Sequence, residues 1–193
     1  MLRTKTVLGL LLIVFAGMVL TSSAWAQNQT DVFAVAYYTG GATNSGSAPA
    51  VDGRVQVIYP GASATAAGQY ICADIYVFDP AQELKECCSC PVSTDGLLTV
   101  PLHSLTDNPA NGVFSSTGVI KIVADNSGSG TGSCNPTNPV PAPELRSWMV
   151  NSQSSITEEE FQATPLSGQE LFELGLLCSF IPNQSGPGVC RCS

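Results

Sequence analysis

The sequence predicts a mainly β protein: an antiparallel β-sandwich, immunoglobulin-like or jelly-roll-like, stabilised by disulfides and closed by a short two-helix C-terminal tail. Three observations carry that expectation. Short apolar or alternating runs recur between clusters of Gly, Pro, Asn and Ser, as strands joined by turns do. All eight cysteines lie downstream of an N-terminal export signal. Helix start signals are confined to the segment after residue 150.

The export signal is built in the usual order. Arg3 and Lys5 precede an apolar run from Val7 to Leu20, and Ala24-Trp25-Ala26 offers a cleavage site before Gln27. Residues 1–26 therefore read as a secretory signal peptide. The run is shorter than the ~20 residues a spanning helix needs, and no later run is long and apolar enough to span after cleavage. The expected organisation is a β-sandwich domain over 27–150 and a helical, cysteine-bearing segment over 151–193 packed on the same domain. The expected location is secreted, periplasmic or cell-surface.

Composition narrows the function classes. Charged residues make up 11% of the chain, against about 25% in ordinary soluble domains, so the surface must be rich in neutral polar groups. Seven basic residues face fifteen acidic ones, for a formal charge of −8. Nucleic-acid binding needs a basic footprint, and anionic lipid needs a polybasic patch; the chain offers neither. One histidine argues against His-based catalysis and against a multi-His metal site.

Six strands follow from pattern. Residues 31–38 form an apolar run. In 53–59, Val55, Val57 and Tyr59 share one face. Residues 70–78 are apolar on both faces, which predicts a strand covered on both sides and ended by Asp79-Pro80. Residues 97–102 and 118–124 come next, the second with Ile120 and Ile122 opposite Val119, Lys121 and Val123. Residues 145–150 close the set. Thr39–Gly53 and Ala124–Pro143 read as loops, the second pinned by Cys134. In the tail, Thr157 and Glu160 form a capping box flanked by Ile156 and Phe161, and Ser167 with Glu170 repeats it. The second helix should cover 168–180. Gly175 inside it costs roughly 1 kcal/mol relative to alanine, so packing must hold it. Glu158, Glu159 and Glu160 read as a solvated helix start, with metal binding as the alternative.

Cys72, Cys87, Cys88, Cys90, Cys134, Cys178, Cys190 and Cys192 read as disulfide partners, because an exported compartment is oxidising. Eight cysteines allow on the order of a hundred pairings. A bridge between adjacent Cys87 and Cys88 would be strained, so at least one of Cys178, Cys190 and Cys192 should tie the tail to the Cys87–Cys90 cluster or another distant segment. The alternative is a zinc or thiol-redox site at Cys87, Cys90, Cys190 and Cys192. Pro91 stands where a redox motif would want a helix start.

Catalytic candidates are sparse. His103, with Ser104 and Asp107 beside it, is the sole base for a Ser-His-Asp set, and no G-x-S-x-G elbow exists. A surface histidine at a strand end is the preferred reading. Asp74 interrupts an apolar strand, and a buried carboxyl must be paired or neutralised; Asp79, Glu83 and Glu86 are its acidic sequence neighbours. Asp125-Asn126-Ser127-Gly128-Ser129-Gly130 resembles the start of a calcium loop, but Pro136 stands where an EF-hand needs Glu. Trp148, Tyr37, Tyr38, Tyr59, Tyr70 and Tyr76 fall in predicted strands and read mostly as core. Asn28 and Asn183 open glycosylation sequons. No catalytic, cofactor-binding or metal-ligating residue is assigned.

The runs Cys72-Ala73-Asp74-Ile75-Tyr76-Val77-Phe78-Asp79 and Glu86-Cys87-Cys88-Ser89-Cys90-Pro91 are similar to segments of secreted, cysteine-containing bacterial proteins of no known function. Ile156-Thr157-Glu158-Glu159-Glu160-Phe161 and the ending Gly188-Val189-Cys190-Arg191-Cys192 fit the same group. The resemblance covers most of the mature chain. It implies bacterial export and brings no activity or site residue with it. The expected function is thus a non-catalytic binding, adhesion or structural surface module, its partner another exported protein or an envelope component. The alternatives are the zinc or thiol site and an extracellular hydrolase using Asp74 or His103.

Overall fold

A computed structural model describes residues 32–39, 53–61, 69–106, 115–127, 134–151, 157–181 and 192. The signal peptide, both sequons, Asp107 and Cys190 lie outside the described residues. The six sequence-predicted runs are all strands: β1 (Phe33–Thr39), β2 (Arg54–Ile58), β3 (Tyr70–Phe78), β5 (Leu97–Pro101), β6 (Thr117–Asp125) and β7 (Arg146–Asn151). Three strands are additional: β4 (Leu84–Ser93), β8 (Thr157–Glu160) and β9 (Gln162–Ala163). Among the described residues two helices complete the order, α1 (Leu102–Thr106) and α2 (Gly168–Phe180).

The strands form two antiparallel sheets, β4-β3-β6-β1-β9 and β5-β2-β7-β8. Alternation decides which side chains meet between them. Val55, Val57, Val100 and Met149 from the smaller sheet pack against Ile71, Ile75, Ile120 and Ile122 from the larger. That shared interior makes the fold a sandwich. A second apolar cluster lies on the outer face of the larger sheet, where Phe33, Tyr76, Cys87 and Val123 meet Leu174 and Cys178 of α2. β3 is therefore covered on both faces, as its unbroken apolar run requires.

β4 carries Lys85, Glu86 and Pro91, which obscure it as a strand in sequence. It is an edge strand, where proline is tolerated because no ladder bond is lost on the open side. Cys88, Cys90 and Val92 point into the core, while Cys87 points to the outer face.

The tail corrects one expectation. The capping box at Thr157 and Glu160 does not start a helix; residues 157–160 are β8, paired with β7 from Trp148↔Glu160 to Asn151↔Thr157. The reason is energetic. The run has no apolar stripe at helical spacing to bury, whereas β7 offers an open ladder. Phe161 then enters the core, its N–H donating to Ser147 O at 3.0 Å. β9 follows directly and joins the other sheet beside β1. All four β8 side chains are exposed, and the glutamates place charge on a sheet edge, which discourages edge-to-edge pairing. The described residues from 157 to 181 thus supply an edge strand to each sheet and one helix. The chain's other described helix, α1, lies between β5 and β6.

The second helix signal holds from end to end. Ser167 accepts from Glu170 N at 3.0 Å as the N-cap. Gly175 explains its own presence: a Cβ there would stand 2.7 Å from Thr137 O. The missing side chain lets α2 lie directly on the segment that follows Cys134. Among the described residues no helix is long and apolar enough to cross a membrane.

Candidate functional site

On β3, Cys72, Asp74 and Tyr76 alternate with the core residues Ile71, Ala73 and Ile75. All three are fully buried on the outer face. The polar groups there are joined by named bonds. Ser89 of β4, opposite Asp74 in register, donates its hydroxyl to Asp74 Oδ1. Asp74 Oδ2 is buried without a hydrogen-bond partner. On β6, Val123 is the register partner of Asp74 and Asp125 that of Cys72, so the two acids are diagonal neighbours on one face, within side-chain reach.

Asp125 is also fully buried. Its Oδ1 accepts from Ser127 N at 2.8 Å and from Val140 N at 2.6 Å. Its Oδ2 accepts from the Ser127 hydroxyl. These bonds seat residues 134–142 along the end of β6. Asn126 N donates to Val140 O at 2.8 Å, and Ala142 N donates to Ala124 O at 2.9 Å. Tyr76 OH donates to Pro136 O at 2.8 Å. The Cys72–Cys134 bridge, with Cα atoms 5.7 Å apart, fixes the start of the segment.

Burial pushes the Asp74 carboxyl well above the ordinary carboxylate range; the charge of Asp125 pushes it the same way, while the Ser89 hydroxyl opposes them. Burial likewise raises the Tyr76 phenol, with Asp74 and Asp125 adding to it. Both effects disfavour additional negative charge in a dry site. Tyr76 is thus a hydrogen-bond donor to the segment above it. Tyr76→Phe should lower stability by about 1–2 kcal/mol, because the buried Pro136 carbonyl loses its donor; chemical denaturation of the two proteins checks this.

The cysteines lie in the same region. Cys87 is bonded to Cys178, 91 residues away, and Cys90 to Cys192, 102 residues away. The tail is therefore tied to the Cys87–Cys90 cluster, as the count of partners requires. Cys88 is disulfide-bonded as well, and no described cysteine is free. Cys87, Cys90 and Cys192 are bridged, so in this form they present no thiolate to a metal.

The other candidates are dispersed. His103 sits on α1 rather than at a strand end, and Ser104 Oγ donates to Pro101 O at 2.7 Å. Asp79 and Glu83 both pair with Lys85, at 2.9 and 2.7 Å. The partner of Asp74 is none of its sequence neighbours but Asp125, first met as the start of a loop. One signal places it: Asp125 continues the Val119, Lys121, Val123 alternation, opposite Ile120 and Ile122. Tyr38, Tyr59 and Tyr76 are buried, whereas Tyr37 and Tyr70 are exposed. Trp148, on β7, is partly exposed.

No family model, curated protein or solved structure matches the chain. Any reading of function therefore rests on the molecule itself. Its least expected surface is α2. The helix buries Leu174, Gly175 and Cys178, yet exposes Phe172 (66%), Leu176 (42%), Leu177 (42%) and Phe180 (73%). Phe172, Leu176 and Phe180 are spaced by four, so they line one side. A helix in a folded domain normally buries its apolar residues; this one, pinned to β4 through Cys178, leaves four large apolar side chains in solvent beside the exposed Gln169 and Glu173.

Proposed function

We propose that the chain is an exported, non-catalytic bacterial module that binds another exported protein through the outward face of α2. The observation that carries the reading is that exposed apolar group, tethered to β4 by the Cys87–Cys178 bridge. Exposed apolar patches on folded proteins mark interaction sites, and a surface fixed before binding loses less entropy on association. The export signal and three described disulfides support extracellular use, since such bonds persist in oxidising compartments.

Two measurements test this. Expressed with its leader in a bacterium, the protein should begin at Gln27, resist alkylation when denatured without reductant, and weigh two hydrogens less per bridge than the all-thiol chain. Modifiable thiols would remove the export reading. In the second, in-cell crosslinking from α2 should capture a single exported protein. Phe172→Ser with Phe180→Ser should abolish the capture while leaving the thermal midpoint unchanged. Equal capture by that variant would remove α2 as the binding face.

A further inference from the structure

Asp74 and Asp125 are both sealed from solvent on adjacent strands, and they differ in their partners. Asp125 has N–H or O–H donors at both oxygens. Asp74 has a single donor, the Ser89 hydroxyl, and its Oδ2 meets none. A buried carboxylate oxygen without a donor is costly, whereas a carboxylic acid there could donate to the neighbouring acid. Two buried carboxyls side by side do not both ionise readily.

The other groups on this face leave the pair alone. From β4 comes Ser89, and Cys87 is oxidised. From β3 comes Tyr76, held on Pro136 O. From β6 comes Lys121, which stands opposite Tyr76 and spends its charge on Glu170 of α2 at 2.6 Å, over the Phe78 ring. The covering residues from Cys134 to Val140 contain no ionisable side chain besides the oxidised Cys134. No cation faces the two acids from the described elements packed on them.

We propose that Asp74 and Asp125 share one proton, carried by Asp74, and that its loss as pH rises releases residues 134–142 from the sheet. The pair is thus a pH-sensitive latch. The sign follows from the two states. When the segment opens, Asp74 meets water and titrates near the ordinary value of about 4. When closed, it keeps its proton to higher pH. Closure is therefore complete in acid and is lost as pH rises, by about tenfold in the closing equilibrium per pH unit, until the closed-state carboxyl also ionises. Val140 is the direct reporter, because its N–H is held by Asp125 and its carbonyl by Asn126 N. The Cys72–Cys134 bridge keeps the released segment attached.

The test is amide hydrogen exchange on the oxidised protein, corrected for intrinsic rates, from pH 4 upward. Protection at Asn126, Val140 and Ala142 should fall about tenfold per pH unit while that of Ile120 and Ile122 holds. Asp74→Asn keeps a donor toward Asp125 and an acceptor for Ser89, so its protection should not vary with pH. PH-independent protection at Val140 in the unaltered protein overturns the proposal. Should Asp74→Asn fail to fold, infrared difference spectra of the unaltered protein decide: a carboxylic-acid carbonyl band that disappears as protection falls supports the latch, and its absence at every pH overturns it. Added calcium that removes this band and raises protection also overturns it, since a cation and not a proton would then join the acids.

Discussion

Replacing Cys87 and Cys178 together with serine should lower stability by about 4–5 kcal/mol, the chain-entropy value for a closed loop of this length. Locally the loss should fall on α2, which is otherwise held by apolar packing on the larger sheet, by the close approach of Gly175 to Thr137 and by one ion pair. Burial of Leu174 contributes about 2 kcal/mol. The Lys121–Glu170 pair is a quarter exposed on each side and contributes at most about 1 kcal/mol. An isolated helix of 13 residues is marginal in water. The double variant should therefore lose amide protection along α2 while β3 and β6 keep theirs. Guanidinium denaturation gives the global loss and hydrogen exchange the local one. A loss under about 1 kcal/mol with α2 still protected would show that packing on Phe33, Tyr76 and Val123 suffices, and the bridge would then not be what presents the apolar face.

The framework was legible wherever one physical signal dominated. The alternation of Val55, Val57 and Tyr59, and of Ile120 and Ile122, reports burial on one face, and these strands fall where the pattern puts them. The Ser167 cap and its following apolar run place α2 from Gly168 to Phe180. Thr157 and Glu160 show where local signals fail: the capping box is a local preference of about 1 kcal/mol, outweighed by an open ladder on β7 and a core site for Phe161. β4 was hidden because an edge strand tolerates Pro91 and charged residues. The buried acid at Asp74 was visible in sequence, and so was its need for a partner. The partner itself was not, because the β3–β6 register that brings Asp125 beside it is a tertiary fact. The outward apolar face of α2 was equally hidden, since the side of the helix that the sheet takes is set by tertiary packing.

Asp125→Ala should cost about 3 kcal/mol. It strips the acceptor from Ser127 N, the Ser127 hydroxyl and Val140 N together. Hydrogen bonds to a charged group contribute about 1.5–3 kcal/mol each, but Ser127 and Val140 are exposed residues, so water recovers part of the loss. The segment should loosen rather than leave, held by Cys72–Cys134 and by Tyr76 on Pro136 O. The same substitution separates the two causes acting on Asp74. With the neighbouring charge gone, burial alone raises its carboxyl, so the folded-state value falls but stays above the unfolded one. The window in which stability is lost with rising pH should then narrow from its upper end, starting still near pH 4. Denaturation midpoints of both proteins across the pH range measure this directly. An unchanged pH profile in Asp125→Ala would mean that Asp74 holds its proton through burial alone, leaving Asp125 as the seat of the segment and not as half of a pair.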